Sequence, residues 1–239
     1  MQELICGKNS VLEAIKNNLK IKVLYVLKPI KIENKKIKIK VISRHEMDLL
    51  TDLNHQGYVA ILEQNFEYYS LEQIIKNKPQ IILLLDHIED PHNLGAIIRS
   101  ANAAGINHII IPKNRAADIT NTVWKVSSGG LVNMKIAKVN SLQVAIEKLK
   151  SNDYWIYVSA LDPSAQEYSK VNYNFPLVIV IGNEGSGASK SVIKQSDEKI
   201  FIPIKGSVQS LNASVAVSYT HLTLPTIILP CRSRWSPYH

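Results

Sequence analysis

The chain has 239 residues, 46% of them apolar, and a formal charge of +8, so it has apolar material for a sizeable core and length for one large or two small domains. No apolar run reaches the roughly eighteen residues of a membrane span, and the first residues lack the basic-then-apolar order of a signal peptide. The two cysteines, Cys6 and Cys231, sit at opposite ends and support neither a disulfide framework nor a zinc site, so the expectation is a soluble cytoplasmic protein with no membrane or metal partner. The charge is uneven, since residues 1–40 hold ten lysines against Glu3, Glu13 and Glu33. Such a basic face suits a polyanion, most commonly nucleic acid; ordinary solvated lysines are the plainer reading.

In chain order, Ser10-Val-Leu-Glu13 has the form of a capping box and predicts a helix through about Asn17. Ile21–Leu27 reads as a strand. Lys36-Ile-Lys-Ile-Lys-Val-Ile42 alternates strictly, which predicts a half-buried strand with isoleucines inward and lysines outward. A second capping box, Ser43 to Glu46, opens a short helix to about Leu53. Tyr58–Leu62 is a strand, and Ser70-Leu-Glu-Gln73 opens a helix that ends before Asn77-Lys-Pro79, where a domain boundary is expected. From Gln80 strands and helices alternate, which predicts a mostly parallel sheet. Strands are expected at Ile81–Leu85, Ile109–Ile111, Trp155–Ala160, Leu177–Ile181 and Lys199–Pro203. Helices are expected after the polar loop that follows Asp86, within Ala116–Val126, over Leu142–Leu149, from about Ser189, and after Gly206–Ser214. Ser127-Ser-Gly-Gly130 reads as a glycine turn.

The run Leu177-Val-Ile-Val-Ile-Gly182-Asn183-Glu184-Gly185-Ser-Gly187 breaks from continuous apolar residues into a glycine turn. Continuous Val/Ile runs mark buried parallel strands, and ligands in open α/β sheets bind just beyond the carboxyl ends of such strands. Asn183 and Glu184 fall at that edge, beside glycines that let a ligand approach the backbone; a plain strand-to-helix turn is the alternative. Asn93 with Arg99, and Ser210 with Asn212, also follow expected strands, so three polar clusters share one rim. No G-x-G-x-x-G run or Walker lysine is present, and His87 and His92 lack zinc-hydrolase spacing, which leaves them as solvated loop histidines with no metal. The Arg99 guanidinium suits a phosphate; a salt bridge to Asp86 or Asp90 is its structural alternative. Asn93 is placed to cap its helix as well as to face the rim.

Taken in order, Asp86-His-Ile-Glu-Asp-Pro-His-Asn93-Leu-Gly95-Ala-Ile-Ile-Arg99, Ile181-Gly-Asn-Glu184-Gly-Ser-Gly187 with Ile202-Pro203, and Ser210-Leu-Asn212-Ala-Ser-Val-Ala216 resemble the three motifs of the SpoU family of RNA ribose 2′-O-methyltransferases in the SPOUT superfamily. Each motif is loose by itself; three in sequence across residues 80–217 are specific. Gly7-Lys-Asn-Ser-Val-Leu-Glu-Ala-Ile15 and His55-Gln-Gly-Tyr-Val-Ala60 resemble the small ribosomal-protein-like substrate-binding domain of the TrmH/RlmB branch.

The resemblance implies an α/β fold: a SPOUT-type catalytic domain over residues 80–218 with a deep carboxy-terminal trefoil knot, preceded by a small α/β RNA-binding domain over residues 1–76. Periodicity asks for no knot, and chains do not as a rule thread loops. It further implies S-adenosylmethionine as methyl donor, a homodimer, and transfer to the ribose 2′-hydroxyl of a guanosine in large-subunit ribosomal RNA. A transfer-RNA methyltransferase and a non-catalytic RNA-binding protein are the alternatives. Carried over by position, Asn93, Arg99, Glu184, Ser210 and Asn212 match the polar active-site residues, and Gly182, Asn183, Ile202 and Leu211 match the cofactor contacts.

After Ser214-Val-Ala-Val-Ser218 the family continues a long apolar helix, whereas residues 219–239 carry Pro225, Pro230 and Pro237 and no helical period. This segment reads as a non-native tail, a frameshift or translated adapter scar, with a divergent natural tail as the alternative. It is expected to impair folding, dimerisation and activity.

Overall fold

The structure, a computed structural model, describes residues 3–32, 37–204, 212–213 and 215–217. Ser210, Leu211, the tail at 219–239 and much of the segment expected to form the knot lie outside the described residues.

The amino-terminal part is a four-stranded sheet made from β1 (Leu4–Cys6), β2 (Ile21–Val26), β3 (Lys38–Val41) and β4 (Tyr58–Leu62), in the order β1-β4-β2-β3. Helix α1 (Lys8–Lys16) lies on one face and the short α2 (Arg44–Asp48) on the other. The capping box at Ser43 is present, with Glu46 N and the Ser43 hydroxyl paired and the Glu46 carboxylate returning to Ser43 N at 2.8 Å.

Three expectations for this part are corrected. Ser10 does not cap α1: Gly7 precedes the helix with φ 98, and Ser10 sits inside it, buried, where its hydroxyl donates to the Trp124 carbonyl at 3.5 Å. The β3 strand is not half buried; all four of its residues are exposed, because it pairs only with β2 and forms the edge of the sheet. The helix after Ser43 also stops at Asp48, short of Leu53.

Helix α3 (Leu71–Lys76) follows, held at its start by a capping box between Ser70 and Gln73. Its Leu71 and Ile74 pack beside Ala137, Leu142 and Ile146 of the larger sheet layer. That layer alternates β5 (Ile81–Asp86), α4 (Pro91–Ala103), β6 (His108–Pro112), α5 (Asn121–Val126), β7 (Lys135–Val139), α6 (Leu142–Lys150), β8 (Trp155–Ser159), β9 (Gln166–Glu167), β10 (Leu177–Gly182), α7 (Lys190–Gln195) and β11 (Glu198–Phe201). The seven strands are all parallel, in the order β7-β6-β5-β10-β8-β11-β9. β7, Lys135-Ile-Ala-Lys-Val139, is not among the expected strands and extends the sheet at one edge.

The strand order positions the site. From β5 the chain moves outward through β6 and β7, returns as β8 on the far side, and then inserts β10 into the gap between β5 and β8. β10 is covered on both faces, so its continuous apolar run is buried from Leu177 to Ile181. It pairs with β5 in register from Leu177↔Ile81 to Gly182↔Asp86, and at that shared carboxyl end the winding direction reverses. Helix α4 buries Leu94, Ile97, Ile98 and Ala101 as expected and stops before Gly105, at φ 75. Its cap is Asp90, whose carboxylate accepts from His92 N at 3.0 Å, so Asn93 lies in the first turn rather than at the cap.

Candidate active site

At the end of β5 the Asp86 side chain is buried. One carboxylate oxygen accepts from Ser189 N at 2.6 Å, and the other meets the His87 ring nitrogen Nδ1. A carboxylate out of water needs such charge-assisted partners. His87 is therefore not a solvated loop residue: it stands at φ 61, half-buried, with its ring on Asp86 and its carbonyl accepting from Asn183 Nδ2 at 2.9 Å. His92 is exposed.

Beyond β10 the chain closes a tight loop. Asn183 N donates to Gly187 O at 3.1 Å, Gly187 N donates to Asn183 O at 2.8 Å, and Asn183 Oδ1 accepts from Gly185 N at 2.9 Å. Gly182 is required by close approach rather than by dihedral angle: a Cβ there would lie 2.1 Å from Ala188 N. The closed loop presents Glu184 towards α4, where Asn93 Nδ2 donates to Glu184 Oε1 at 2.6 Å. Asn212 Nδ2 in turn donates to Asn93 Oδ1 at 2.9 Å. One amide thus ties together residues from three separate stretches of the chain, and three of the five expected active-site residues meet.

Arg99 does not hydrogen-bond into this cluster. It is exposed one and a half turns farther along α4, and among the described residues it forms no ion pair. Asp86 and Asp90, its alternative structural partners, are engaged with Ser189, His87 and the helix cap. Ser210 lies outside the described residues.

Beside the cluster is a cavity of about 490 Å³ at the carboxyl ends of β8, β10 and β11. Gly182, Asn183 and Ile202 line it, as does Glu184; Leu211 is not described. Ala213 and Ala216 also line it, which brings the helical residues 213 and 215–217 against the 182–188 loop. Its size is that of a small-molecule site, and its surface combines apolar side chains with backbone groups.

Two contributors lie outside the expected set. Asp86 is visible in the sequence as a carboxylate ending an apolar strand. Asp162, also on the cavity, carries no sequence signal. Its carboxylate accepts from Ser164 N at 2.9 Å, from the Ser164 hydroxyl at 2.6 Å and from Lys199 Nζ at 2.9 Å. Ser164, and then Lys199, hold its pKa down at about 2, so the group is an anion. Among the described residues no group of three or more His, Cys, Asp or Glu is arranged to hold a metal.

The profile of the SpoU rRNA Methylase family matches residues 80–220, more than half of the chain. The chain belongs to the SpoU rRNA methylase family. Residues 4–68 match a second profile, that of RNA 2′-O ribose methyltransferase substrate binding. Among relatives of this SpoU chain is a protein of Staphylococcus saprophyticus named as a TrmH family tRNA/rRNA methyltransferase. It is 38% identical over 233 residues, covering 91% of this chain and 93% of the relative. The fold is also that of AviRb from Streptomyces viridochromogenes, solved in complex with the cofactor AdoMet, at a TM-score of 0.77 and 20% identity over 93% of this chain and 88% of that one. An AdoMet-bound rRNA methyltransferase from Sinorhizobium meliloti is similar at a TM-score of 0.76 and 24% identity, with 93% and 86% covered. The SpoU chain is accordingly an RNA 2′-O-ribose methyltransferase of the TrmH/SpoU kind.

Proposed function

We propose that this chain transfers a methyl group from S-adenosylmethionine to the ribose 2′-hydroxyl of a guanosine in large-subunit ribosomal RNA, in the cytoplasm and as a homodimer. The observation that carries the reading is the convergence of Asn93, Glu184 and Asn212 at the edge of the cavity beyond β10. The cavity suits the cofactor: Ile181 and Ile202 offer apolar surface to a purine, Gly182 lets the 187–188 backbone pack against the end of β10 and so shapes the wall, and the carboxylates of Asp162 and Glu184 suit a cationic ligand. When bound, S-adenosylmethionine supplies a methyl group activated by a sulfonium.

This chain's residues then have to align the ribose hydroxyl and provide a path for its proton. A guanidinium, with a pKa above about 12, is a poor base. Arg99 instead holds a substrate phosphate, which relays the proton, while the Asn93 amide, fixed by Glu184 on one side and Asn212 on the other, orients groups around it. The match of residues 4–68 to a substrate-binding profile and the exposed lysines there support RNA binding, and the preference for ribosomal over transfer RNA rests on the resemblance of Gly7–Ile15 and His55–Ala60 to the TrmH/RlmB branch. On β3, Lys38 and Lys40 are exposed, and Lys40 Nζ lies 5.8 Å from the centre of the ring of Tyr25 on the neighbouring β2. The test is methyl transfer and RNA binding by Arg99→Lys and Arg99→Ala. Both should lose turnover steeply; near-normal turnover in either refutes the assignment.

A further inference from the structure

We propose that the turn at Gly129 and Gly130 is a positioning element for methyl transfer, a wedge that sets the place of Arg99 by the place of the amino-terminal domain. The inference rests on the role given to Arg99 above and adds what fixes it.

The turn is clamped on both sides. Gly129 adopts φ 92, and a Cβ there would lie 2.6 Å from Glu13 Cβ and 2.9 Å from Glu13 Cγ, so it touches α1 with no space to spare. Gly130 faces the other way: its added Cβ would lie 3.3 Å from Arg99 Cα and 3.4 Å from Asn102 Cβ. Two adjacent residues therefore bear on the RNA-binding domain and on the Arg99 turn of α4. The same support meets α4 closely at a second place, since a Cβ on Gly95 would lie 2.7 Å from Val126 Cβ of α5.

The support is itself joined to the amino-terminal domain by specific bonds. Trp124 Nε1 donates to Glu3 Oε2 at 3.0 Å, Leu4 N donates to Asn121 Oδ1 at 3.1 Å, and Asn133 Nδ2 donates to Asn17 Oδ1 at 3.2 Å. The Trp124 carbonyl accepts from both Ser10 and Ser127, one hydroxyl from each side. The connecting segment is pinned as well, with Tyr68 OH donating to Asp118 and Tyr69 N donating to Ile136 O at 2.8 Å. Packed layers of this kind transmit displacement rather than absorb it. The amino-terminal domain therefore acts as a fixed jig, and RNA seated on it meets Arg99 at a set distance.

The test compares Gly129→Ala with Gly105→Ala in the full chain, because both introduce a side chain at positive φ but only the first meets a neighbour; among the described residues nothing lies within 4 Å of a Cβ added at Gly105. Gly129→Ala should lower kcat about tenfold or more while leaving the RNA and S-adenosylmethionine dissociation constants within about twofold, since a small misplacement penalises chemistry more than binding. Gly105→Ala carries the backbone strain without the clash, so it should keep kcat within about twofold and lose less melting temperature than Gly129→Ala. Gly130→Ala, not at positive φ, is the gentler variant if Gly129→Ala fails to fold, and it should also lower kcat without weakening RNA binding. Unchanged kcat in the folded variants, or RNA affinity falling in step with kcat, overturns the proposal. Inactive Arg99→Ala beside fully active glycine variants overturns the coupling alone; a parent without turnover both as the full chain and with residues 219–239 replaced by an apolar helix overturns the functional reading and the coupling with it.

Discussion

Gly182→Ala probes the cofactor cavity most sharply. The new Cβ would lie 2.1 Å from Ala188 N and from the Gly187 carbonyl carbon, and 2.5 Å from Gly187 O, against ordinary van der Waals separation at 3.4 Å and beyond. Every atom struck is backbone, so no side-chain rotation relieves the overlap. The 183–188 segment has to move by more than an ångström, which opens the paired bonds between Asn183 and Gly187 and shifts Glu184 away from Asn93. Overpacking of this kind costs about 1–3 kcal/mol, and at about 2–4 °C per kcal/mol for a chain of this size the melting temperature should fall by roughly 2–12 °C. The cavity wall moves with the loop, so the S-adenosylmethionine dissociation constant should rise about tenfold or more, equivalent to about 1.4 kcal/mol. RNA binding should persist. Differential scanning calorimetry and isothermal titration with S-adenosylmethionine measure both effects. A variant that melts and binds cofactor like the parent refutes the assignment of this cavity.

Asp86→Asn should lower stability by about 1.5–3 kcal/mol, the worth of hydrogen bonds to a charged group, because the amide cannot accept from both Ser189 N and His87; chemical denaturation reads the loss. His108 has a buried Nε2 that finds no hydrogen-bond partner among the described residues, and its pKa is lowered, first by burial and then by Lys135. The unfolded chain therefore binds the proton more readily, so this contribution is intact above about pH 6.5 and is lost as pH falls below it. In His108→Leu that part of the slope of stability against pH should vanish, and an unaltered slope contradicts the assignment. The Lys38→Gln, Lys40→Gln double variant should weaken RNA binding broadly and reduce the slope of log affinity against log salt by about one for each phosphate no longer neutralised; an unchanged slope in filter binding removes β3 from the RNA face.

The elements whose burial is complete are the ones most legible in the sequence. β5 and β10 are covered on both faces, so each reads as an unbroken apolar run, and the stripe Leu94, Ile97, Ile98, Ala101 likewise identifies the buried side of α4. Ser43 and Ser70 cap as local chemistry predicts. Ser10 fits the same pattern but is claimed by Trp124, a tertiary partner that no local rule contains. The alternation at 36–42 gives the period of a strand without telling how far it is covered: Ile37 is buried, while at the sheet edge Lys38–Val41 are exposed. β7 escapes a reading by apolar runs because two lysines interrupt a short one. The meeting of Asn93, Glu184 and Asn212 is legible as three polar groups after strands, yet the single amide that joins them depends on β10 being inserted beside β5. The docking of α1 against the Gly129 turn leaves no trace in the sequence except two adjacent glycines.

In the proposed reaction, residues around Asn93, Arg99 and Glu184 direct a methyl group onto ribose. It is tested most directly by incubating the chain with S-adenosylmethionine labelled in its methyl group and large-subunit ribosomal RNA, then digesting the product with alkali, which cannot cleave after a 2′-O-methylated nucleotide. The label should appear in an alkali-resistant dinucleotide containing guanosine and disappear with Arg99→Ala. Label released on a free base or a single nucleotide, or none transferred, contradicts it.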